Sequence, residues 1–218
     1  MLKIRRLVPL AMLTAVLAHG APSPAQTIID EWSSVKAPPP PELKAAPVDP
    51  KTTALLVMDL LKQTCNVDRR PRCVASLAKI AELVSAARAN GATVIYTTLP
   101  NIPIVDTVPA VAPKGDEPVV AAYVDKFILG DKDTGLEKML RDKGITTVIT
   151  VGTAAHGAVL YTSSAAALRG FNVIVPVDGM SGIGQTAYIE QAVAYILTSA
   201  PGLSSKVTLT SIDMIKFQ

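Results

Sequence analysis

The chain has 218 residues, 49% of them hydrophobic and 4% aromatic, with a formal net charge of +3. Lys3, Arg5 and Arg6 carry that charge, because residues 1–25 contain no acid, so the chain beyond them is neutral. A neutral, aromatic-poor chain has neither the electrostatic footprint nor the stacking surface of a nucleic-acid binder, which leaves small molecules as the expected partners.

The three basic residues precede an apolar run from Leu7 to about Leu17, interrupted by Pro9 and followed by small residues around Ala21 and Ala25. A bilayer-spanning helix needs roughly 20 apolar residues. This run is shorter, and its layout is that of a cleaved secretory signal over residues 1–25, not of a stable membrane anchor. The expectation is a periplasmic or secreted protein, cleaved either near Ala21 or within Ser23-Pro24-Ala25. Residues 26–50 read as a proline-rich arm, since Pro38 to Pro41 are consecutive and proline fixes φ and donates no hydrogen bond. Two alternatives stand for it: disorder, or docking of Trp32 with Ile28 and Ile29 on the domain or on a second subunit.

Residues 51–218 have the size and apolar content of one domain. Runs with little polar alternation at 53–60, 93–98, 146–151, 172–177 and 206–210 predict strands buried on both faces. Between them, Val74, Leu77, Ala78, Ala81, Val84 and Ala87 repeat at helical spacing, with Asn90-Gly91 as a stop. Thr134 and Glu137 have the spacing of a capping box ahead of Leu136, Met139 and Leu140. Further helices are predicted over about 156–168, ending at Gly170, and about 185–199, ahead of Pro201. Strands alternating with helices give right-handed crossovers and a mainly parallel sheet, hence a three-layer α/β/α sandwich of Rossmann-like type. Its site belongs at the carboxyl ends of the strands.

Three places meet that condition. Asp59 closes the first apolar run, Lys126 follows Ala-Ala-Tyr-Val-Asp in mid-chain, and a turn from Gly152 to Ala158 follows the strand ending at Val151. Cys65 and Cys73 are the only cysteines of a chain expected to be exported, so a disulfide between them is the natural reading. The alternative makes Cys65 a nucleophile near Asp59. Between the two lie Asp68, Arg69, Arg70 and Arg72, either a patch that attracts an anionic substrate or a solvated loop.

Across nearly all of residues 51–218 these pieces resemble the isochorismatase-like hydrolases, also called the cysteine hydrolase superfamily. The matching segments are Thr53-Ala-Leu-Leu-Val-Met-Asp59, Lys126-Phe127 leading into Thr134-Gly-Leu-Glu-Lys-Met-Leu140, Val151-Gly152 with its turn, Arg169-Gly-Phe-Asn-Val173 and Val177-Asp-Gly179. The resemblance implies a catalytic triad of a strand-end Asp, a central Lys and a Cys at the start of the helix after the fourth strand. Asp59 and Lys126 match the first two, and Ala158 stands where the Cys is expected. A methyl group has no lone pair to attack with, so amide hydrolysis through a thioester is not expected.

Isochorismatases proper hydrolyse a vinyl ether without that Cys, use the Asp as general acid and carry Ala-His-x-Gly in the turn. Ala155-His156-Gly157-Ala158 is similar to that version, with Gly157 one position early and Ala in place of Gly. By this resemblance Asp59 protonates the substrate, while Lys126 orients Asp59, holds a substrate carboxylate, or makes a structural ion pair. His156 either walls the pocket or bonds the backbone at the helix start. The N–H groups of Ala155 to Ala158 can hold an anion at a helix amino terminus, and Ala158 with Tyr161 either lines an open substrate pocket or closes it.

The resemblance also implies a non-proline cis peptide near Thr153-Ala154, and leaves homo-oligomerisation open. No cofactor and no metal are expected, because the family's metal-holding members use an Asp and His cluster after the second strand, where this chain reads Tyr96-Thr-Thr-Leu-Pro-Asn101. Two functions remain: an exported hydrolase acting on a small molecule, with a carboxylated compound as a candidate, through Asp59 and Lys126, or a catalytically silent member that binds a small molecule or a protein.

Overall fold

A computed structural model describes residues 27–184 and 187–218. The expected signal segment, 1–25, lies outside the described residues, as does the predicted start of the last helix. Within the described residues no helix is long and apolar enough to cross a membrane. The chain divides into two compact units after Pro38. In the first, residues Ile28–Glu31 form one helical turn, α1, with none of its side chains buried.

The second unit is built on a seven-stranded sheet among the described residues. Its strands are β2 (Thr53–Met58), β3 (Thr93–Thr98), β4 (Val119–Ala121), β7 (Thr147–Thr153), β8 (Asn172–Pro176), β9 (Met180–Ser181) and β10 (Val207–Thr210). The order is β10-β8-β7-β2-β3-β4, with β9 pairing the end of β7, and every pairing is parallel. Two small pairs complete it: β1 (Ala46–Val48) beside β11 (Ile215–Phe217), and the hairpin β5 (Ile128–Leu129) with β6 (Lys132–Asp133).

Alternation along the strands divides the core into two layers. Ala54, Leu56 and Met58 of β2 pack with residues of α3 (Leu136–Asp142), α4 (Leu160–Leu168) and α5 (Tyr188–Ser199). Leu55 and Val57 face the opposite way and pack with α2 (Pro71–Ala89). The result is an α/β sandwich with both sheet faces covered, which is why the strands read as unbroken apolar runs.

Three expectations shift. Residues 26–50 are not one free arm: the folded unit begins at Pro39, because β1 pairs with β11 and the Lys44 N–H donates to the Leu209 carbonyl at 2.8 Å. The helix after β7 opens as a π-helical turn, Ala155–Val159, before α4 begins. The Thr134–Glu137 capping box does not form; Gly135 at φ +82 takes the N-cap, and the Thr134 hydroxyl accepts the Leu136 N–H at 3.3 Å while donating to the Lys126 carbonyl.

Candidate active site

Strand register decides what stands beside Asp59. Met58, the last residue of β2, lies opposite Thr97 on β3 and Gly152 on β7. Asp59 then turns the chain at φ +52, a left-handed conformation that a short polar side chain tolerates better than most. Thr64 closes the turn by donating to the Asp59 carbonyl and accepting the Leu61 N–H at 3.1 Å. Gly152 sits so close that a Cβ there would fall 2.0 Å from the Met58 carbonyl oxygen. A side chain at position 152 would push β7 off β2 and carry the next turn away from Asp59.

The turn brings the Asp59 carboxylate onto Lys126. Lys126 Nζ lies 2.7 Å from Asp59 Oδ2 and also donates to the carbonyls of Ala122 at 2.8 Å and Tyr123 at 2.5 Å. Three acceptors match the three protons of an ammonium. The other carboxylate oxygen, Oδ1, accepts the Thr97 hydroxyl at 2.7 Å. Asp59 is 3% exposed and Lys126 0%. Loss of water raises the Asp59 carboxyl above its ordinary value, against the attraction of Lys126 and the hydrogen bonds from Lys126 and Thr97. Burial likewise lowers Lys126, against the pull of Asp59. The two groups are displaced toward one another, which favours a carboxyl able to hold and release a proton.

Lys126 sits on an irregular segment, yet its backbone is fixed on both sides. Its N–H donates to Thr162 Oγ1 on α4 at 3.2 Å, and its carbonyl accepts the Thr134 hydroxyl at 2.7 Å. Next to it, Phe127 stacks on Phe171 with ring centroids 6.4 Å apart. The Arg169 guanidinium lies 4.5 Å over Phe127 and that of Arg141 lies 4.2 Å over Phe171. These cation–π contacts tie the Lys126 segment to the ends of α3 and α4.

β7 runs into a cis peptide at Thr153-Ala154, where the sequence resemblance implied one. In the following π turn Ala155 and Ala158 are buried, whereas His156 is exposed. Tyr161 is 52% exposed and does not plug the core. The Gly157 N–H donates to the Ala154 carbonyl at 3.0 Å, so that amide is not free to hold an anion. His156 and Tyr161 are therefore surface groups of this turn, and Ala158 presents a buried methyl.

Cys65 and Cys73 form a disulfide with Cα atoms 5.4 Å apart. A bonded Cys65 is no nucleophile, which sets that alternative aside. The basic segment between the cysteines is largely committed: Arg72 holds Glu190 at 2.6 Å and the Gly184 carbonyl at 3.2 Å, and Arg70 is buried. It is not an open cationic patch. Among the described residues no three of His, Cys, Asp or Glu gather as metal ligands would.

Sequence reasoning missed Thr97. Its strand was predicted to end at residue 98, so a hydroxyl at the rim was visible, but only register shows that it faces Asp59. Thr64 and Thr134 were missed or misread for the same reason.

A protein-family model described as Isochorismatase domain matches residues 53–201. No curated protein matches the chain. Similar solved structures include an isochorismatase family protein from Burkholderia thailandensis, with 22% identity and TM-score 0.64, covering 79% of this chain and 97% of its own. A cysteine hydrolase from Pseudomonas syringae pv. phaseolicola has 20% identity and TM-score 0.66, covering 79% and 94%. An N-carbamoylsarcosine amidase from Thermoplasma acidophilum has 21% identity and TM-score 0.60, covering 74% and 97%. At these identities the structural likeness speaks for the fold.

Proposed function

This chain belongs to the isochorismatase family of hydrolases, and from that premise we propose that it hydrolyses a small molecule by acid catalysis from Asp59, without a cysteine nucleophile. The substrate class that suits this chemistry is a vinyl ether. Asp59 gives its proton to the terminal alkene carbon, and the π electrons form the new C–H bond. The ether oxygen stabilises the resulting oxocarbenium ion. Water adds to the oxocarbenium carbon, the one that bears the ether oxygen, and returns a proton to the Asp59 carboxylate; the hemiketal then breaks its bond to the ether oxygen as its hydroxyl proton passes to that oxygen, releasing an alcohol and a carbonyl compound.

The observation that carries this reading is the buried Asp59–Lys126 pair beside a turn that offers only the methyl of Ala158. Burial favours the protonated carboxyl that the first step needs. Lys126 orients Asp59: its three protons are already taken by Asp59 and two carbonyls, so it does not hold a substrate carboxylate. The Cys65–Cys73 disulfide supports placing the protein in an oxidising compartment, periplasmic or extracellular.

Profiling vinyl ethers, amides and esters tests the reaction. Asp59→Asn is expected to slow vinyl-ether hydrolysis by about 10²–10⁴-fold. Unchanged rates in that variant refute the role of Asp59, and faster turnover of amides or esters by the native chain refutes the reaction class. A second reading, a silent binding member of the family, is favoured by the 3% exposure of Asp59. It predicts ligand binding with no turnover of any of the three classes.

A further inference from the structure

Thr97 occupies a strand position that the core pattern reserves for an apolar side chain. Alternation along β3 puts Val94 and Tyr96 in the layer of α2, and Ile95 in the opposite layer with Met58 and Phe127. Thr97 follows Ile95 on that second face and is 1% exposed. Valine has nearly the same shape, suits a buried strand and carries no polar atom. A buried hydroxyl is unfavourable without a partner, so the hydroxyl of Thr97 is accounted for by what it bonds. Among the described residues that partner is Asp59 Oδ1 alone, at 2.7 Å. The next residue gives the contrast. Thr98 is also buried, yet its hydroxyl donates to the Ile102 carbonyl at 2.7 Å and closes the loop after β3 without reaching Asp59.

The two oxygens of Asp59 are served differently. Lys126 Nζ donates to Oδ2 and uses its other two protons on the Ala122 and Tyr123 carbonyls, so it gives nothing to Oδ1. Oδ1 depends on the Thr97 hydroxyl. Lys126 is the charged group that acts on Asp59, and Asp125 acts in turn on Lys126. When Asp59 passes its proton to the alkene carbon, its O–H bond breaks, a C–H bond forms from the π electrons, and a full negative charge is left on the carboxylate. Part of that charge falls on Oδ1, where the Thr97 hydroxyl is the donor in place to meet it. A hydrogen bond to the charged form favours that form and strengthens the acid. Together with the Lys126 bond on the other oxygen, it also stops the carboxyl from turning about its Cβ–Cγ bond.

We propose that Thr97 is a positioning residue of the reaction, whose hydroxyl fixes the orientation of the Asp59 carboxyl and stabilises the carboxylate that proton transfer leaves behind. This rests on the acid-catalysed hydrolase reading and adds a third side chain to the Asp59–Lys126 pair. Thr97 acts through Asp59.

Two measurements on the oxidised full chain test this. The first is carbon-13 NMR of the carboxyl groups, with the Asp59 signal identified by its loss in Asp59→Asn, and it needs no substrate. Thr97→Val removes the hydroxyl at nearly constant shape and should move the Asp59 titration midpoint to higher pH by about one pH unit or more. Thr97→Ser, which keeps the hydroxyl, should return it to the native value. The second is the pH profile of vinyl-ether hydrolysis. In Thr97→Val the limb on which kcat falls should move to higher pH by the same amount. The plateau below that limb should drop roughly three- to tenfold, because the raised carboxyl is the weaker acid, and KM should hold. Thr98→Val, which loses a loop contact, should lower Tm and leave the limb in place. Thr97→Ala is the second hydroxyl-free variant and carries both measurements if Thr97→Val does not fold. An Asp59 midpoint that stays put without the hydroxyl, a loss of kcat with an unmoved limb, or a serine variant that behaves like the valine one would each overturn the role of Thr97. A shifted midpoint in a chain that hydrolyses none of the three substrate classes refutes the hydrolase reading alone. Hydrolysis that needs Asp59, with midpoint and limb unmoved in Thr97→Val, refutes the Thr97 role alone.

Discussion

Asp59 and Lys126 are each expensive to bury alone and tolerable only together. Removing one partner of a buried pair leaves an uncompensated charge, at a cost of about 3–5 kcal/mol. Lys126→Met should therefore destabilise the fold by about that amount, and Asp59→Leu combined with Lys126→Met by much less, measured by denaturant unfolding. Additive losses would mean that the two side chains do not interact. The pH dependence follows from the same burial. A carboxyl raised in the folded state contributes its stability below its unfolded value of 3.8 and loses it as pH rises through the folded value. Lys126 runs the other way, contributing above 10.5 and losing as pH falls through its lowered folded value. With Asp59 as the acid, kcat should fall as pH rises through the folded Asp59 value, on a limb lying above the ordinary carboxylate range. A rate that stays flat across that range, or rises with pH, contradicts an acid role.

Single residues act here through the elements that hold them. The 65–73 loop is fastened by its disulfide, which places Thr64 and Arg70 against the Asp59 turn. Closing so short a loop stabilises by roughly 2–3 kcal/mol in the chain-entropy account. The Cys65→Ser, Cys73→Ser double variant should lose about that much, read as a lower Tm under oxidising conditions, and the native chain should show the same drop on reduction. An unchanged Tm in both would remove the disulfide from the stability of the protein. The Lys126 segment has no covalent tie. It depends on the Thr134 and Thr162 hydroxyls and on the Phe127–Phe171 stack, so a residue spaced as a helix cap became a clasp for the site.

At the scale of the molecule, the far side of the sheet is held by another ionic knot. Arg88 on α2 grips Glu117 with two hydrogen bonds of 2.8 and 2.7 Å and donates to the Tyr96 hydroxyl on β3 at 3.0 Å. Burial pushes the Tyr96 phenol up to about 12. For Glu117, burial raises the carboxyl, but the Arg88 and Lys114 contacts outweigh it and the net shift is downward. A lowered carboxyl contributes stability above its unfolded value of 4.5 and loses it as pH falls through the lower folded value. Acid unfolding should begin below pH 4.5, and Glu117→Gln should be less stable at neutral pH with a shallower acid limb. An acid limb identical to that of the native chain would exclude Glu117 as a contributor.

Periodicity and composition determined the layers, the parallel sheet and the candidate carboxyl and ammonium groups, because burial on both faces of a strand and one face of a helix leaves a local record in the sequence. The boundaries of β3, at residues 93–98, were legible to the residue for that reason. Short elements such as β1, β4 and β9 were not, since two or three residues pair only when a distant strand is already in place. The same holds for the site. Which hydroxyl meets Asp59, whether Lys126 has a proton to spare, and why Arg70 stands buried without an acid were decided by tertiary contacts between distant segments, such as Thr97 to Asp59 across 38 residues and Arg72 to Glu190 across 118. Those contacts depend on where strands end against one another and how helices pack on them, a property of the assembled sandwich and not of any one segment.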